Sequence, residues 1–270
     1  MTIPGIALSI AGSDPSGGAG IQMDLKTFSV CHAWGMAVIT ALTAQHSGRV
    51  SGVWTMDPVV VQEQILTLLE DMTPDAIKTG MLANAGIIRA VVTSLPAGIP
   101  LIVDPVMLST SGHRLLDEKA TEAMISDLIP CALLVTPNIP EAEVLSGISI
   151  GNLSDMEVAG RIILSYGPKF VLVKGGHGSG EESVDLLITH ENVVRISAPR
   201  LPYEVHGSGC CLSAAVTGYL ATGMNTEEAC RMGKKICGEA IKGSIMGKAG
   251  MRMVNPKVTE LVHLTGIFDK

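Results

Sequence analysis

The sequence predicts an α/β fold with one largely parallel sheet covered by helices on both faces. Three observations carry that expectation. Short apolar runs of strand length recur along the chain. Stretches of about 10–15 residues with apolar positions at helical spacing separate them, and glycine- or proline-rich breaks fall between the two kinds. Strands joined through helices must run parallel, and their crossovers cover both faces.

The elements follow in order. Ile6 to Ile10 is a buried strand running into Ala11-Gly12-Ser13-Asp14-Pro15-Ser16-Gly17-Gly18-Ala19-Gly20, and Ile21 to Cys31 is helical. Gly35 to Thr43 reads as a second strand, and Asp57-Pro58 as a helix start before Val59 to Glu70. Strand Ala76 to Thr79, helix Ala85 to Ser94 and strand Leu101 to Asp104 come next. A loop at Pro105 to Arg114, a helix at Asp117 to Ile129, a strand at Leu133 to Thr136 and a break at Pro137-Asn138-Ile139-Pro140 continue the alternation. Ser154 to Tyr166 is helical and Phe170 to Lys174 a strand, followed by glycine-rich Gly175 to Gly180. Val184 to Thr189 and Val193 to Ile196 flank Glu191-Asn192 as a hairpin; helices Cys210 to Ala221 and Thr226 to Ile245 close the pattern. No linker or repeat interrupts residues 1–270, which read as one domain.

Composition narrows the function. The chain is 47% hydrophobic and 17% charged, as globular proteins are. A net charge of -7, with 19 Lys and Arg and no basic block, argues against nucleic acid. No apolar run approaches the ~18 residues of a membrane span, and the six cysteines contain no CxxC pair. The expectation is a cytoplasmic protein with reduced thiols.

Ligands of such sheets gather beyond the C-terminal strand ends, here Gly12 to Gly20, Gln45, Gly80-Met81, Asp104 to Met107, Asn138 to Glu141 and Lys174 to Gly176. His206-Gly207-Ser208-Gly209-Cys210-Cys211 should empty into a helix N-terminus, whose unpaired amides and dipole favour an anion and should ease ionisation of a thiol. An ordinary turn with two packed cysteines fits that hexapeptide too. Gly12 to Gly20 lacks both the Walker and the dinucleotide fingerprint, leaving a substrate loop or a plain turn. Asp24 could merely complement a helix dipole. Asn138 and Glu141, spaced i, i+3, suit either hydrated Mg²⁺ or a helix cap, and Asp104 could hold metal or water. Lys174 can reach a phosphate as a point charge, and His206 and His177 are candidate bases. Together these describe ATP-dependent phosphoryl transfer.

Seven ordered segments carry a resemblance: Ala11 to Gln22 with Asp24 to Phe28, Val38 to Leu42, Lys78 to Leu82, Asp104 to Met107, Thr136 to Ala142, Val173 to His177 and His206 to Cys210. The chain resembles the hydroxymethylpyrimidine/phosphomethylpyrimidine kinases of thiamine biosynthesis, of ribokinase-like three-layer α/β/α fold. The resemblance implies ATP and Mg²⁺ as cofactors, a small pyrimidine as substrate, and a homodimer. Gly12, Asp24, Thr43, Gln45, Met81 and Val106 would line the pyrimidine pocket. Asn138 and Glu141 would organise Mg²⁺ and its waters beside Asp104, and Lys174 would contact ATP phosphates. Cys210 would be the base, with the amides of Gly207, Ser208 and Gly209 receiving the transferring phosphoryl charge and Cys211 left to packing. Ser208 stands where the family often has threonine. Pyridoxal kinase is the alternative on the same scaffold; Gln45, and the absence of a second cysteine from Val106 to Gly112, favour pyrimidine. A catalytically idle pyrimidine or nucleotide sensor is a further alternative, which the joint presence of Asn138, Glu141, Lys174 and Cys210 disfavours. A lid over Ser109 to Arg114 is also expected.

Overall fold

The computed structural model describes residues 4–107, 116, 118–176 and 180–257. Its main strands are β1 (Ile6–Ser13), β2 (Trp34–His46), β3 (Arg49–Thr55), β4 (Ala76–Thr79), β5 (Leu101–Val103), β6 (Leu134–Val135), β7 (Phe170–Val173), β8 (Glu182–Ile188) and β9 (Val193–Pro199). They form one sheet in the order β3-β2-β1-β4-β5-β6-β7-β8-β9. The six strands from β2 to β7 are parallel; β3 at one edge and β8 at the other run opposite to them, and β9, antiparallel to β8, runs with them again. Travel along the sheet reverses at β1, the place where an open α/β sheet leaves a crevice beyond its strand ends.

Helices α1 (Gly20–Val30), α2 (Pro58–Asp71), α3 (Ala85–Ser94), α4 (Glu118–Ala123), α5 (Ile139–Ser146), α6 (Leu153–Leu164), α7 (Ser208–Ala221) and α8 (Thr226–Lys242) cover the two faces. Along β1, Ala7 joins a core with Phe28 of α1, Val216 of α7 and Ile236 of α8, while Leu8 and Ile10 join another with Val61, Ile87 and Ile163 of α2, α3 and α6. Each large apolar side chain so buried contributes about 1.5–3 kcal/mol, and burial on both faces is why the parallel strands read as unbroken apolar runs. The expected three-layer α/β/α fold is therefore present. A small second sheet, β10 (Val205–His206), β12 (Arg252–Met253) and β11 (Ile245–Met246), in that order, lies next to the start of α7.

Several boundaries differ from the sequence reading. Strand β1 continues through Gly12 to Ser13, and β2 runs on to His46, so Gln45 lies on a strand and not beyond one. Arg49–Thr55, a weakly patterned and largely exposed edge strand, was not anticipated. The break expected at Pro137 to Pro140 is the start of α5: Pro140 occupies the first turn, where its missing N–H costs nothing, and Gly147 closes the helix with φ +75°. The helix expected to reach Ile129 ends as α-helix at Ala123, widens into a π-turn (Met124–Leu128) and tightens into a 3₁₀ turn holding Pro130. Helix α8 stops at Lys242, three residues short of the expected end, because Ile245 pairs in the small sheet.

Candidate active site

Two glycine-rich turns meet at the crevice. Gly207, the N-cap of α7, has φ +88°, and any Cβ there would overlap the carbonyl oxygen of Gly18. Only glycine gives both that dihedral and that approach. The first helical bond is Cys211 N–H to Gly207 O, at 2.9 Å. The amides without an intrahelical acceptor are thus those of the N-cap Gly207 and of Ser208, Gly209 and Cys210, so the expected set of Gly207, Ser208 and Gly209 gains the Cys210 amide.

Cys210 is half-buried, and the Gly20 amide donates toward its sulfur. The expectation of an easily ionised thiol is overturned: burial pushes it up to about 12, with the Lys78 ammonium opposing and the carboxylates of Asp24 and Asp104 adding to the rise. Desolvation and two neighbouring anions outweigh one helix terminus. Cys211 is fully buried and belongs to the apolar layer between sheet and α7, as expected.

Beneath the thiol runs a chain of buried charges. Lys78 Nζ lies 2.9 Å from Asp24 Oδ2, which also accepts from Ser9 Oγ at 2.6 Å; all three residues are fully buried. Burial raises the Asp24 carboxyl, Lys78 and Ser9 opposing it. Asp24 is thus sequestered below the rim as an ion-pair partner, neither an exposed pocket residue nor a dipole-complementing surface acid. Its Oδ1 is buried without a hydrogen bond among the described residues.

Further along, Lys174 Nζ lies 2.8 Å from Asp104 Oδ1, and Asp104 accepts from Ser213 Oγ (2.9 Å) and Thr136 Oγ1 (3.3 Å). Burial works to raise the Asp104 carboxyl, but Lys174 and Lys78 hold it below its usual range. Lys174 lies under the first turn of α7: a Cβ on Gly209 would come 3.3 Å from Nζ.

Asn138 and Glu141 form a complete capping box. The Asn138 side chain accepts from the Glu141 amide and the Glu141 carboxylate from the Asn138 amide, both at 2.9 Å. Burial lifts Glu141 to about 7, Lys174 opposing and Asp104 adding. Asp104 accepts from an ammonium and two hydroxyls and is the counter-ion of Lys174 in this structure. Glu141, an undercompensated acid, suits a hydrated cation better. Among the described residues no three His, Cys, Asp or Glu side chains cluster as a cation cage.

The remaining expected pocket residues collect around the ends of β1 and β2. Met81 packs against Gly12, where a Cβ would come 3.2 Å from Sδ, and Thr40 Oγ1 donates to the Met81 carbonyl at 2.6 Å. Thr43 Oγ1 donates to Ser13 O at 2.9 Å and lies 3.2 Å from Gln45 Oε1. Gln45 Nε2 lies 3.3 Å from His206 Nε2, which stands 3.1 Å from Asp14 Oδ2. Val106 is half-buried past the end of β5. Sequence reasoning missed Ser9, Asp14, Lys78 and Ser213; a lysine inside a four-residue buried strand was the available signal for Lys78. His177 and the expected lid at Ser109 to Arg114 lie outside the described residues.

A parallel sheet reversing at β1, a glycine turn after that strand and a helix start closing over it define a ribokinase-like α/β kinase. More narrowly, the chain belongs to the phosphomethylpyrimidine kinase family, whose model matches residues 14–255. It is 42% identical over 242 residues to a hydroxymethylpyrimidine/phosphomethylpyrimidine kinase of Rhizobium meliloti, covering 88% of this chain and 91% of that one. The structure of a phosphomethylpyrimidine kinase from Clostridium difficile is 46% identical, with a TM-score of 0.77 over 89% of this chain and 100% of that one. A pyridoxal kinase from Staphylococcus aureus in complex with ADP is 34% identical, with a TM-score of 0.89 over 96% of both chains.

Proposed function

We propose that the chain transfers the γ-phosphoryl group of ATP to hydroxymethylpyrimidine and then to its monophosphate, as a step of thiamine biosynthesis. The observation that carries the reading is the convergence of Cys210, the open amides of Ser208, Gly209 and Cys210, and Lys174 at one end of the sheet, next to Gly12, Met81, Thr43 and Gln45. The relatives' names and the ADP-bound neighbour support it.

In this reading the substrate oxygen, an alcohol first and a phosphate oxygen in the second step, attacks the γ-phosphorus and the bond to the β-phosphate oxygen breaks; the alcohol proton passes to Cys210 in its thiolate form, the minor form at neutral pH. The first-turn amides of α7 receive the equatorial charge. Lys174 neutralises phosphate oxygens at the cost of its Asp104 contact, and Gln45 and Thr43 orient the pyrimidine edge. Glu141 would hold Mg²⁺ through water, with Asn138 keeping the turn in shape; the ion supplies charge neutralisation on the polyphosphate when bound.

Residues 1–270 act as one domain in this proposal, and two copies associate. Leu42 (45% exposed) and Trp54 (59% exposed), paired across β2 and β3, offer the apolar surface for that association. Among the described residues no helix is long and apolar enough to cross a membrane.

Pyridoxal phosphorylation is the second reading, favoured by the 0.89 TM-score to the Staphylococcus aureus enzyme. Coupled ADP release with hydroxymethylpyrimidine, its monophosphate and pyridoxal tests both. Turnover of the two pyrimidines well above pyridoxal is expected, and turnover of none with Mg-ATP would sink the kinase reading.

A further inference from the structure

We propose that Asp14 and His206 form a positioning pair that fixes which way round the Gln45 amide stands, turning its oxygen to His206 and its nitrogen to Thr43. The inference rests on Gln45 being a substrate contact, and it adds how that contact is set.

Asp14 is buried, and its Oδ1 takes both the Ser16 amide (2.9 Å) and the Ser16 hydroxyl (2.7 Å). Its Oδ2 stands 3.1 Å from His206 Nε2. Burial works to raise the Asp14 carboxyl, yet His206 and Ser16 hold it below its usual value. A carboxylate can only accept, so His206 Nε2 carries a hydrogen and donates it. The Gln45 amide lies 3.3 Å from that same nitrogen. A protonated nitrogen cannot accept from an NH₂, so the Gln45 oxygen is assigned to this side, sharing with Asp14 the one Nε2 hydrogen.

Thr43 asks for the same thing. Its single hydroxyl proton has two oxygens within reach, the Ser13 carbonyl at 2.9 Å and Gln45 Oε1 at 3.2 Å, and the nearer one takes it. Toward Gln45, at 3.2 Å, Thr43 Oγ1 is therefore an acceptor and needs an N–H. With Nε2 toward His206 and Oε1 toward Thr43, donor would face donor at one end, and at the other the one Thr43 proton would have to serve two oxygens. A half-turn about the last side-chain bond relieves both, and such isosteric amides are assigned by their partners.

The ring packs over Gly18, where a Cβ would come 2.6 Å from His206 Cδ2, so only glycine leaves it space. Gln22 clamps the loop, accepting from the Asp14 amide (2.9 Å) and donating to Ser13 Oγ (2.7 Å). So oriented, Gln45 has one N–H and one oxygen lone pair left for a ligand, in a fixed order. A ring edge carrying an acceptor beside an amino donor pairs with that order only one way round, and the reversed amide would mispair with it.

Asp14→Asn tests the device. The new amide's oxygen stays with the two Ser16 donors, its NH₂ faces His206, Nε2 must then accept, and Gln45 turns its nitrogen to His206. The KM for hydroxymethylpyrimidine should rise roughly tenfold, while the KM for ATP stays within about twofold. In a Gln45→Ala background the same substitution should leave the pyrimidine KM unmoved, because the effect travels through Gln45. A full tenfold effect in that background overturns the positioning role while leaving Gln45 as a contact. If Gln45→Ala itself leaves the pyrimidine KM unchanged, the contact reading fails instead. Independently of activity or of how the variants fold, ¹⁵N NMR of the His206 ring in the wild-type protein should show Nε2 protonated at mildly alkaline pH; an unprotonated Nε2 overturns the inference.

Discussion

Lys174 and Asp104 pair at 2.8 Å beneath the first turn of α7, joining the ends of β7 and β5, strands that are separated by β6 in the sheet. Lys174→Met strands the Asp104 carboxylate inside the protein, which costs about 3–5 kcal/mol when a buried pair loses one member. Chemical denaturation should register that loss, and ADP release should fall at least a hundredfold through the missing phosphate contact. A variant of normal stability and normal turnover would remove Lys174 from the proposed site.

Cys210 should be a thiol, not a thiolate, at neutral pH, since its surroundings push it up to about 12. Iodoacetamide should label it much more slowly than an unhindered cysteine. If the thiolate is the base, turnover should climb with pH, roughly tenfold per unit across the neutral range, because the ionised fraction grows that way far below the pKa. A rate flat from about pH 7 to 9 would move the proton acceptor elsewhere. Cys210→Ala should cut turnover strongly and leave ligand binding largely intact.

Asn138 and Glu141 can be assigned separately by paired substitutions. Asn138→Ala removes a cap and should destabilise by about 1 kcal/mol. Glu141→Gln keeps the box, because glutamine accepts from the same amide, so stability should stay within about 0.5 kcal/mol. The Mg²⁺ concentration for half-maximal rate should nonetheless rise. An unchanged Mg²⁺ requirement would leave Glu141 a cap and nothing more.

Asp14 links stability to acid. Its folded pKa lies below the ordinary 3.8, so the stabilisation is complete above that value and is lost as pH falls through the folded one. Denaturant midpoints measured from neutral pH to strongly acidic pH should fall more steeply for the wild type than for Asp14→Asn. Parallel curves would mean the carboxylate is no better held in the folded chain than in the unfolded one.

Trp54→Glu places a charge on the exposed pair with Leu42. Sedimentation should show dimers for the wild type and monomers for the variant; an unchanged dimer mass in the variant would put the contact on another face.

The sheet was legible because burial on both faces writes itself as apolar runs, as at Ala76–Thr79 and Phe170–Val173. β3 was not, since an edge strand that is largely exposed lacks that signature. Pro140 misled because proline marks a helix start as well as a chain break. In the site, the glycine turns and Lys174 stood out by residue type and position. The ionisation of Cys210 did not, because it depends on Asp24, Lys78 and Asp104, which reach it from α1, β4 and the end of β5. The capping box was visible as a spacing with two meanings, and geometry chose the cap without deciding the metal.

The packing of α1 on α7 also has a consequence for synthesis on the ribosome. Thr27 Oγ1 meets Cys211 Sγ at 3.8 Å and Cys31 Sγ meets the Ala215 carbonyl at 3.7 Å, each across 184 residues. At about 5–20 residues per second, the apolar side of α1 waits roughly ten to forty seconds for the segment that covers it. During that interval the nascent chain presents Phe28 and Met23 uncovered, so this face is the one a chaperone would have to shield.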